Sequence, residues 1–431
     1  MNDEAPPSDI PTQRRLRFDM RANPVKSQLD LPPETEVSFV SMDAVGILGG
    51  LRLDEIRPLA DVYDGYTYFA DGDVCVAKIT PCFENGKGAL ANGLTNGIAF
   101  GTTELHVLRP GPALDAKFLF YLTMSHEFRS RGESEMLGAG GQKRVPEAFL
   151  KNWSPVLPPV QDQRRITQFL DEKTSRIDAL IEKKRVLLDR LAERRQALIT
   201  QSVTKGLDPD ASFKPSGIDW LGSIPAHWRL KGLTKCTTRV DYRGATPPKS
   251  SSGKFLVTAK NIKNGEIDYD ISQEFISDED YEHAMRRGKP KLTEVLLTTE
   301  APLGEVACVD HEDIALAQRV IKFATSSGEL SNSYLAYWML SCPFQRDLLS
   351  RATGSTAVGI KAGKIVDLKC LLPPIGEQLE ITKYLDSKLQ THQTVTETIG
   401  KSIKNLQEYR TALVTTAVTG NSESFDASNL L

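Results

Sequence analysis

The stretch Leu157-Pro158-Pro159-Val160-Gln161-Asp162-Gln163 returns 215 positions later as Leu372-Pro373-Pro374-Ile375-Gly376-Glu377-Gln378. The agreement spreads outward from it. Downstream, ALITQSVT (197–204) lies over ALVTTAVT (412–419) at the same offset. Upstream, KFLFYLTMSHEF (117–128) lies over SYLAYWMLSCPF (333–344), and the Gly-rich GAGGQKRV (138–145) over GSTAVGIK (354–361). Fainter pairs are SFVSMDAV (38–45) with FLVTAKNI (255–262) and DVCVAKITP (73–81) with EVLLTTEAP (294–302). One shared motif is a common accident, whereas a series kept in order is a duplication. The chain is two copies of one module.

Each copy begins with short runs rich in β-branched residues and bounded by Gly, Pro, Asp and Asn, which read as strands. In the first these are EVSFVSM, DVCVAKI and ELHVLRP; in the second, KFLVTAK, EVLLTTE and RVIKFAT. A helical piece follows each set, AKFLFYLTMSHEFRSR and SNSYLAYWMLSCPFQRDLL. The fold class expected is therefore α+β, with one globule over 16–156 and another over 228–371.

A long helix follows each globule. No Gly or Pro occurs from Gln161 to Lys205, and helix formers dominate. Steps of four and three from Ile166 land on Leu170, Ile177, Leu180, Leu187, Leu191 and Leu198, with polar breaks at Lys173, Lys184 and Arg194. The second copy gives Ile381, Leu385, Val395, Ile399, Leu406 and Leu413. These are heptad seams. A helix of ~40 residues rising ~1.5 Å each reaches ~60 Å, longer than a small globule is wide. Two of them in one chain pack most economically as an antiparallel coiled-coil pair separating the globules, with a pseudo-twofold internal repeat. The long helices fall within 157–205 and 372–419. Residues 206–227 are a Gly/Pro-dense linker, residues 1–15 a polar arm and 420–431 a tail.

Composition narrows the function. Lys and Arg total 53 against 56 Asp and Glu, for a net charge of −3. That excludes a DNA-coating basic protein and leaves room for a local basic face. No apolar run approaches the ~20 residues that span a bilayer, and residues 1–15 lack the apolar core of a signal peptide. Six cysteines without a CxxC pair argue against zinc or a disulfide framework and fit a reducing cytoplasm.

Catalytic motifs are missing. GKG (86–88) and GIKAGK (359–364) have neither the spacing nor the hydroxyl of a phosphate-cradling Walker loop. GAGG (138–141) does not join a strand to a helix in a βαβ unit. There is no Asn/Asp-Pro-Pro-aromatic signature of adenine methyltransferases, no HExxH and no GxSxG. No catalytic residue and no metal site are expected. What remains is binding. Basic side chains in or near Gly-containing loops, where backbone can approach a phosphate, are Lys78, Lys87, Lys143 and Arg144 in the first copy. In the second they are Arg243, Lys249, Lys260, Lys263, Lys361 and Lys364. Gln142 adds a side chain able to make a bidentate contact with adenine.

With the repeat, LPPVQDQRRITQFLD, LPPIGEQLEITKYLD, SGIDWLGSIPAHW (216–228) and GDVCVAKITPCFENGKG (72–88) in view, the chain resembles the specificity subunit of type I restriction–modification systems over roughly 16–420. The resemblance implies that the two globules are target-recognition domains, each reading one half of a bipartite, asymmetric site in double-stranded DNA. It implies that the helices act as a spacer and dock two methyltransferase (M) subunits, joined by restriction (R) subunits in the full complex. AdoMet, ATP and Mg are then expected on those partners, none on this chain, and no membrane is involved. One departure is visible: WLGSIPAHW precedes only the second globule. The rivals are a coiled-coil scaffold whose globules bind protein and an enzyme with an unrecognised site.

Overall fold

The Pro-Pro pairs decide where the long helices begin. Proline is tolerated only at a helix start, and it excludes the residue before it from the helix. In the computed structural model of the chain, which describes residues 11–139, 141–244, 247–326, 328–354 and 358–420, the helices span Val160–Lys205 and Ile375–Thr419, 46 and 45 residues. Residues 1–10 of the expected arm and 421–431 of the tail lie outside the described residues.

The repeated glutamine of each motif is a structural tie. Gln163 is fully buried. Its Oε1 accepts from the Asp115 N–H at 2.8 Å, and its Nε2 donates to the Ala113 and Pro158 carbonyls at 3.1 and 2.8 Å. Gln378 repeats this with the Ser331 N–H at 2.9 Å and the Glu329 and Pro373 carbonyls at 2.7 and 2.8 Å. Asp115 and Ser331 are the N-caps of the helices Ala116–Met124 and Asn332–Leu340. One side-chain amide therefore holds two helix starts together. The helical pieces expected as single stretches are broken at Ser125 and Ser341, which sit extended between two helices in each copy. A serine hydroxyl that competes for backbone groups favours such a cap over a helix interior.

The described residues fold as two compact units, those up to 184 together with 400–420, and those between 185 and 399. The first holds an antiparallel sheet in the order Met20–Ala22, Leu105–Pro110, Val74–Ala77, Gly88–Leu90. Its second sheet runs Ile56–Pro58, Glu36–Val40, Ile98–Gly101, Thr67–Ala70, with the middle pair parallel. The other unit repeats the first sheet as Thr237–Asp241, Val320–Thr325, Val295–Thr299, Leu303–Cys308. It repeats the parallel pair as Lys254–Val257 with Ile314–Leu316. The duplication expected from the sequence is thus a duplication of strand order.

Each core draws on both long helices. In the first unit Phe118, Leu122 and Phe128 pack with Leu170, Ile177 and Ile181 of one helix and Leu413, Val414 and Val418 of the other. In the second unit Tyr334, Trp338 and Phe344 pack with Ile381 and Leu385, and with Ile199 and Val203. Burying one such side chain contributes about 1.5–3 kcal/mol. The pairing is antiparallel: Asp178 meets Arg410 within one unit, and His392 Nε2 meets the Leu191 carbonyl at 2.7 Å within the other. The expected seam needs correction. Leu180, Leu187 and Val395 are 43%, 45% and 42% exposed, and Ile181, Leu188 and Thr396 take their places facing inward. A straight helix has 3.6 residues per turn, so a strict 3.5-residue reading drifts ~20° per heptad away from the true inner face. Leu170, Ile177, Ile381, Leu385, Ile399 and Leu413 are buried, and Ile166, Leu191, Leu198 and Leu406 half-buried.

The linker motif has its own physical role. Trp228 is fully buried, and its Nε1 donates to Glu377 Oε2 at 3.0 Å, beside a His227 contact at 2.8 Å to the same oxygen. The Ala-His-Trp end of the linker thereby braces the first turn of the second long helix.

Candidate nucleic-acid interface

The Gly-rich loops are closed by matching backbone pairs. Leu137 and Arg144 exchange N–H···O bonds of 2.9 and 2.8 Å, and Thr353 and Gly359 exchange bonds of 2.9 and 3.0 Å. Below each closure, the Val145 N–H donates to the Lys78 carbonyl as the Ile360 N–H donates to that of Thr299. Arg144 therefore matches Gly359. The alignment of GAGGQKRV with GSTAVGIK, which sets Arg144 against Ile360, is displaced there by one residue, because the second loop is one residue shorter. The first loop raises Gln142 and Lys143 to its exposed rim, where the second carries Val358. Gly140 and residues 355–357 lie outside the described residues.

The candidate cations of the first unit differ in availability. Gln142 and Lys143 are exposed. The Arg144 guanidinium is held by both oxygens of Glu104, at 2.9 and 2.7 Å; that pairing raises the arginine and lowers the Glu104 carboxyl below its usual range. Lys78 is half-buried beside the same carboxylate. Lys87 is half-buried, with Nζ donating to the Met42 carbonyl at 2.8 Å. Behind Arg144 lies a polar cluster. His106, buried, bonds the Val145 carbonyl through Nε2 at 2.8 Å. Asn23 donates to Glu147 Oε2 at 2.6 Å and accepts from the Val107 N–H at 3.0 Å. Burial lowers the His106 imidazole from its ordinary value.

In the second unit the carbonyl equivalent to Val145 is taken by an arginine. Arg243 Nη1 donates to Ile360 O at 3.0 Å, while the same guanidinium holds Asp241 through Nε at 2.9 Å. Arg239 Nη1 reaches the Ala362 carbonyl at 3.3 Å, and Arg287 Nη1 bonds the carbonyls of Asp241 and Arg243 at 2.7 and 3.0 Å. Arg243 thus joins Lys361 and Lys364, both exposed, around one loop, with Arg239 and Arg287 as members that sequence reading missed. The signal available was alternation: Arg239 and Asp241 share one face of the strand Thr237–Asp241. Lys249 pairs with Glu274 at 3.0 Å. Lys260 and Lys263 are exposed on the segment that enters the hairpin Ile262–Lys263/Glu266–Ile267, apart from the Arg243 loop in sequence and in element.

A cleft of about 390 Å³ in the first unit is lined by Asn23, Lys26, Tyr66 and Tyr68. Lys26 Nζ lies 4.5 Å from the Tyr63 ring centre and the Arg109 guanidinium 5.7 Å from that of Tyr68. The surfaces of both units offer guanidinium and ammonium groups on backbone-braced loops, chemistry suited to phosphates and base edges. Among the described residues no group of three or more His, Cys, Asp or Glu could hold a metal ion, and no helix is long and apolar enough to cross a membrane.

Residues 246–405 match the family model described as type I restriction modification DNA specificity domain. The chain is 40% identical over 183 residues to the type I restriction enzyme EcoAI specificity subunit of Escherichia coli, covering 42% of this chain and 31% of that protein. It is 45% identical over 135 residues to the EcoEI specificity subunit of the same species, covering 31% and 23%. The matched stretches thus span less than a third of these relatives. A solved structure titled for complex assembly and conformational transition of the type I R-M system superposes with a TM-score of 0.66, covering 94% of this chain and 98% of that one at 16% identity. That likeness shows a shared fold.

Proposed function

We propose that this chain is a type I restriction–modification specificity subunit, a reading supported by the matches over 246–405 and to the two Escherichia coli subunits, and that it recognises a bipartite, asymmetric site in double-stranded DNA and makes or breaks no bond itself. Each unit reads one half-site. The observation that carries the reading is that one strand order occurs twice while the loops mounted on it differ: Gln142, Lys143 and Arg144 at one rim, Arg243, Lys361 and Lys364 about the other. A shared scaffold with unlike loops is what reading two different half-sites requires. The cations position phosphates and Gln142 supplies a base-reading amide.

The long helices dock two methyltransferase subunits, which bring AdoMet and flip the target adenine. Restriction subunits join these and bring ATP and Mg. The assembly is cytoplasmic, where host DNA lies. The test is selection of duplexes from a random pool by the complex purified through a tag on this chain. A two-part consensus is expected. Uniform retention of all sequences would refute the reading. Salt separates it from a protein-binding scaffold, since phosphate-dominated binding weakens linearly on log–log axes and an apolar protein interface barely responds.

A further inference from the structure

The strands Val74–Ala77 and Val295–Thr299 hold the same place in their sheets, and each follows a buried acid that ties down the segment before it. In the first unit the acid is Asp73. Its Oδ2 accepts from the Ala70 N–H at 2.8 Å, and its two oxygens hold Arg109 of the neighbouring strand at 2.7 and 2.6 Å. In the second it is Glu294. Its Oε2 accepts from the Lys291 N–H at 2.7 Å and meets Lys322 Nζ of the neighbouring strand at 2.7 Å. Lys322 is itself buried, and its Nζ also donates to the Lys289 carbonyl at 2.6 Å. Each acid returns its own N–H to the residue it ties, Asp73 to the Ala70 carbonyl at 3.0 Å and Glu294 to that of Lys291 at 3.2 Å. The anchor is repeated, and Lys291 stands where Ala70 does.

What hangs from the anchor differs. Residues 65–70 read Gly-Tyr-Thr-Tyr-Phe-Ala, without a cation, whereas residues 286–291 read Arg-Arg-Gly-Lys-Pro-Lys, four cations and no acid. Two of the four are engaged, Arg287 by the carbonyls of Asp241 and Arg243 and Lys289 by Glu282 at 2.6 Å. Arg286 and Lys291 are exposed, and neither side chain has a carboxylate partner among the described residues. The helix Asp278–Ala284 ends just before them, and its dipole favours cations at that end. That effect fades within the last turn and does not reach Lys291. The acidic first turn of the same helix lies ~10 Å away along its axis, about one Debye length. Gly288, at φ +147°, brings the loop against the strand that leads to Arg243: a Cβ there would stand 3.1 Å from Val240 Cγ2. Burying an ion pair carries a desolvation cost, and this one fixes the backbone of a loop that holds two unpaired cations beside the Arg243 loop.

We infer that Arg286 and Lys291 are phosphate contacts of the second unit, placed by the Glu294–Lys322 anchor, and that the first unit carries no such pair at the matching position. This rests on the reading that each unit binds one half-site of duplex DNA. The test uses the tagged complex with wild-type chain, R286Q, K291Q and the double variant, titrated with salt on the selected duplex. Each single substitution should lower the log–log slope by about 0.9 and the double by about 1.8, the shares of one and two phosphates. The consensus selected from a random pool should stay the same, because phosphate contacts carry no base identity. Duplexes with uncharged methylphosphonate linkages along one half-site or the other then place the contact: the double variant should be less sensitive than wild type to linkages at one half only. A wild-type slope in the folded double variant, with the two-part site still selected, would overturn the inference and leave the functional reading intact. So would equal wild-type sensitivity at both halves. Loss of partner subunits from the tagged double variant would overturn it by making the loop a protein contact, and loss of its cooperative melt by making the cations supports of the fold. If the wild type selects no two-part site, the functional reading fails first and the inference with it.

Discussion

Replacing Gln378 by leucine keeps the volume of a fully buried side chain and removes three hydrogen bonds at once. The Ser331 N–H loses its acceptor at 2.9 Å, and the Glu329 and Pro373 carbonyls lose their donor at 2.7 and 2.8 Å. An orphaned buried backbone group costs about 1–3 kcal/mol. The Pro373 contact is wholly buried and the other two only partly, so water relieves part of their loss. The total is about 3 kcal/mol, a fall in Tm of roughly 6–12 °C for a unit of this size. Urea unfolding followed by tryptophan fluorescence is the assay, since Trp220, Trp228 and Trp338 all lie within residues 185–399. Gln378→Glu should be no milder, because a carboxylate accepts from Ser331 and cannot donate to either carbonyl. A loss below about 0.5 kcal/mol for Gln378→Leu, the level of an ordinary surface change, would refute the claim that the repeated glutamine ties the two helix starts.

Three further outcomes follow from the geometry. Lys143→Ala should weaken DNA binding and flatten the salt dependence by about 0.9 on log–log axes, the share of one phosphate contact; an unchanged slope in a salt titration would remove Lys143 from the interface. Glu104→Gln should release Arg144 and tighten DNA binding at low salt, because the carboxylate that now holds its guanidinium becomes neutral; weaker binding would mean that the pair acts as a unit. His106 is held below its ordinary value by burial, so the unfolded chain binds its proton more readily than the folded one. Stability contributed by this residue is therefore complete above about pH 6.5 and falls as pH drops from there towards the folded value. His106→Asn should flatten that part of a Tm–pH profile; an unaltered profile would assign the dependence to other groups.

The site was less open to sequence reading than the fold, for a physical reason. Lys87, Arg144 and Arg243 were visible as cations near glycines, yet their charges are engaged by the Met42 carbonyl, Glu104 and Asp241. Those partners lie at sequence separations from 2 to 45, and composition carries no trace of which lysine has one. Arg239 and Arg287 were overlooked because their loop is assembled from distant segments. The helix seam was found in kind and misplaced in phase, since Leu180 and Leu187 satisfy a 3.5-residue count and miss a 3.6-residue face.

By itself, the sequence determined the duplication, the two α+β modules and the start of both long helices, because proline, serine caps and β-branched runs act on their neighbours and need no distant partner. Tertiary structure decided which copy each half-helix serves. Ile199 and Val203 of the first helix complete the core that holds Tyr334, and Val414 and Val418 of the second complete the one that holds Phe118. Those residues are equally apolar in either arrangement. Only the closing of both cores against both helices distinguishes a helix packed on its own module from one shared between two.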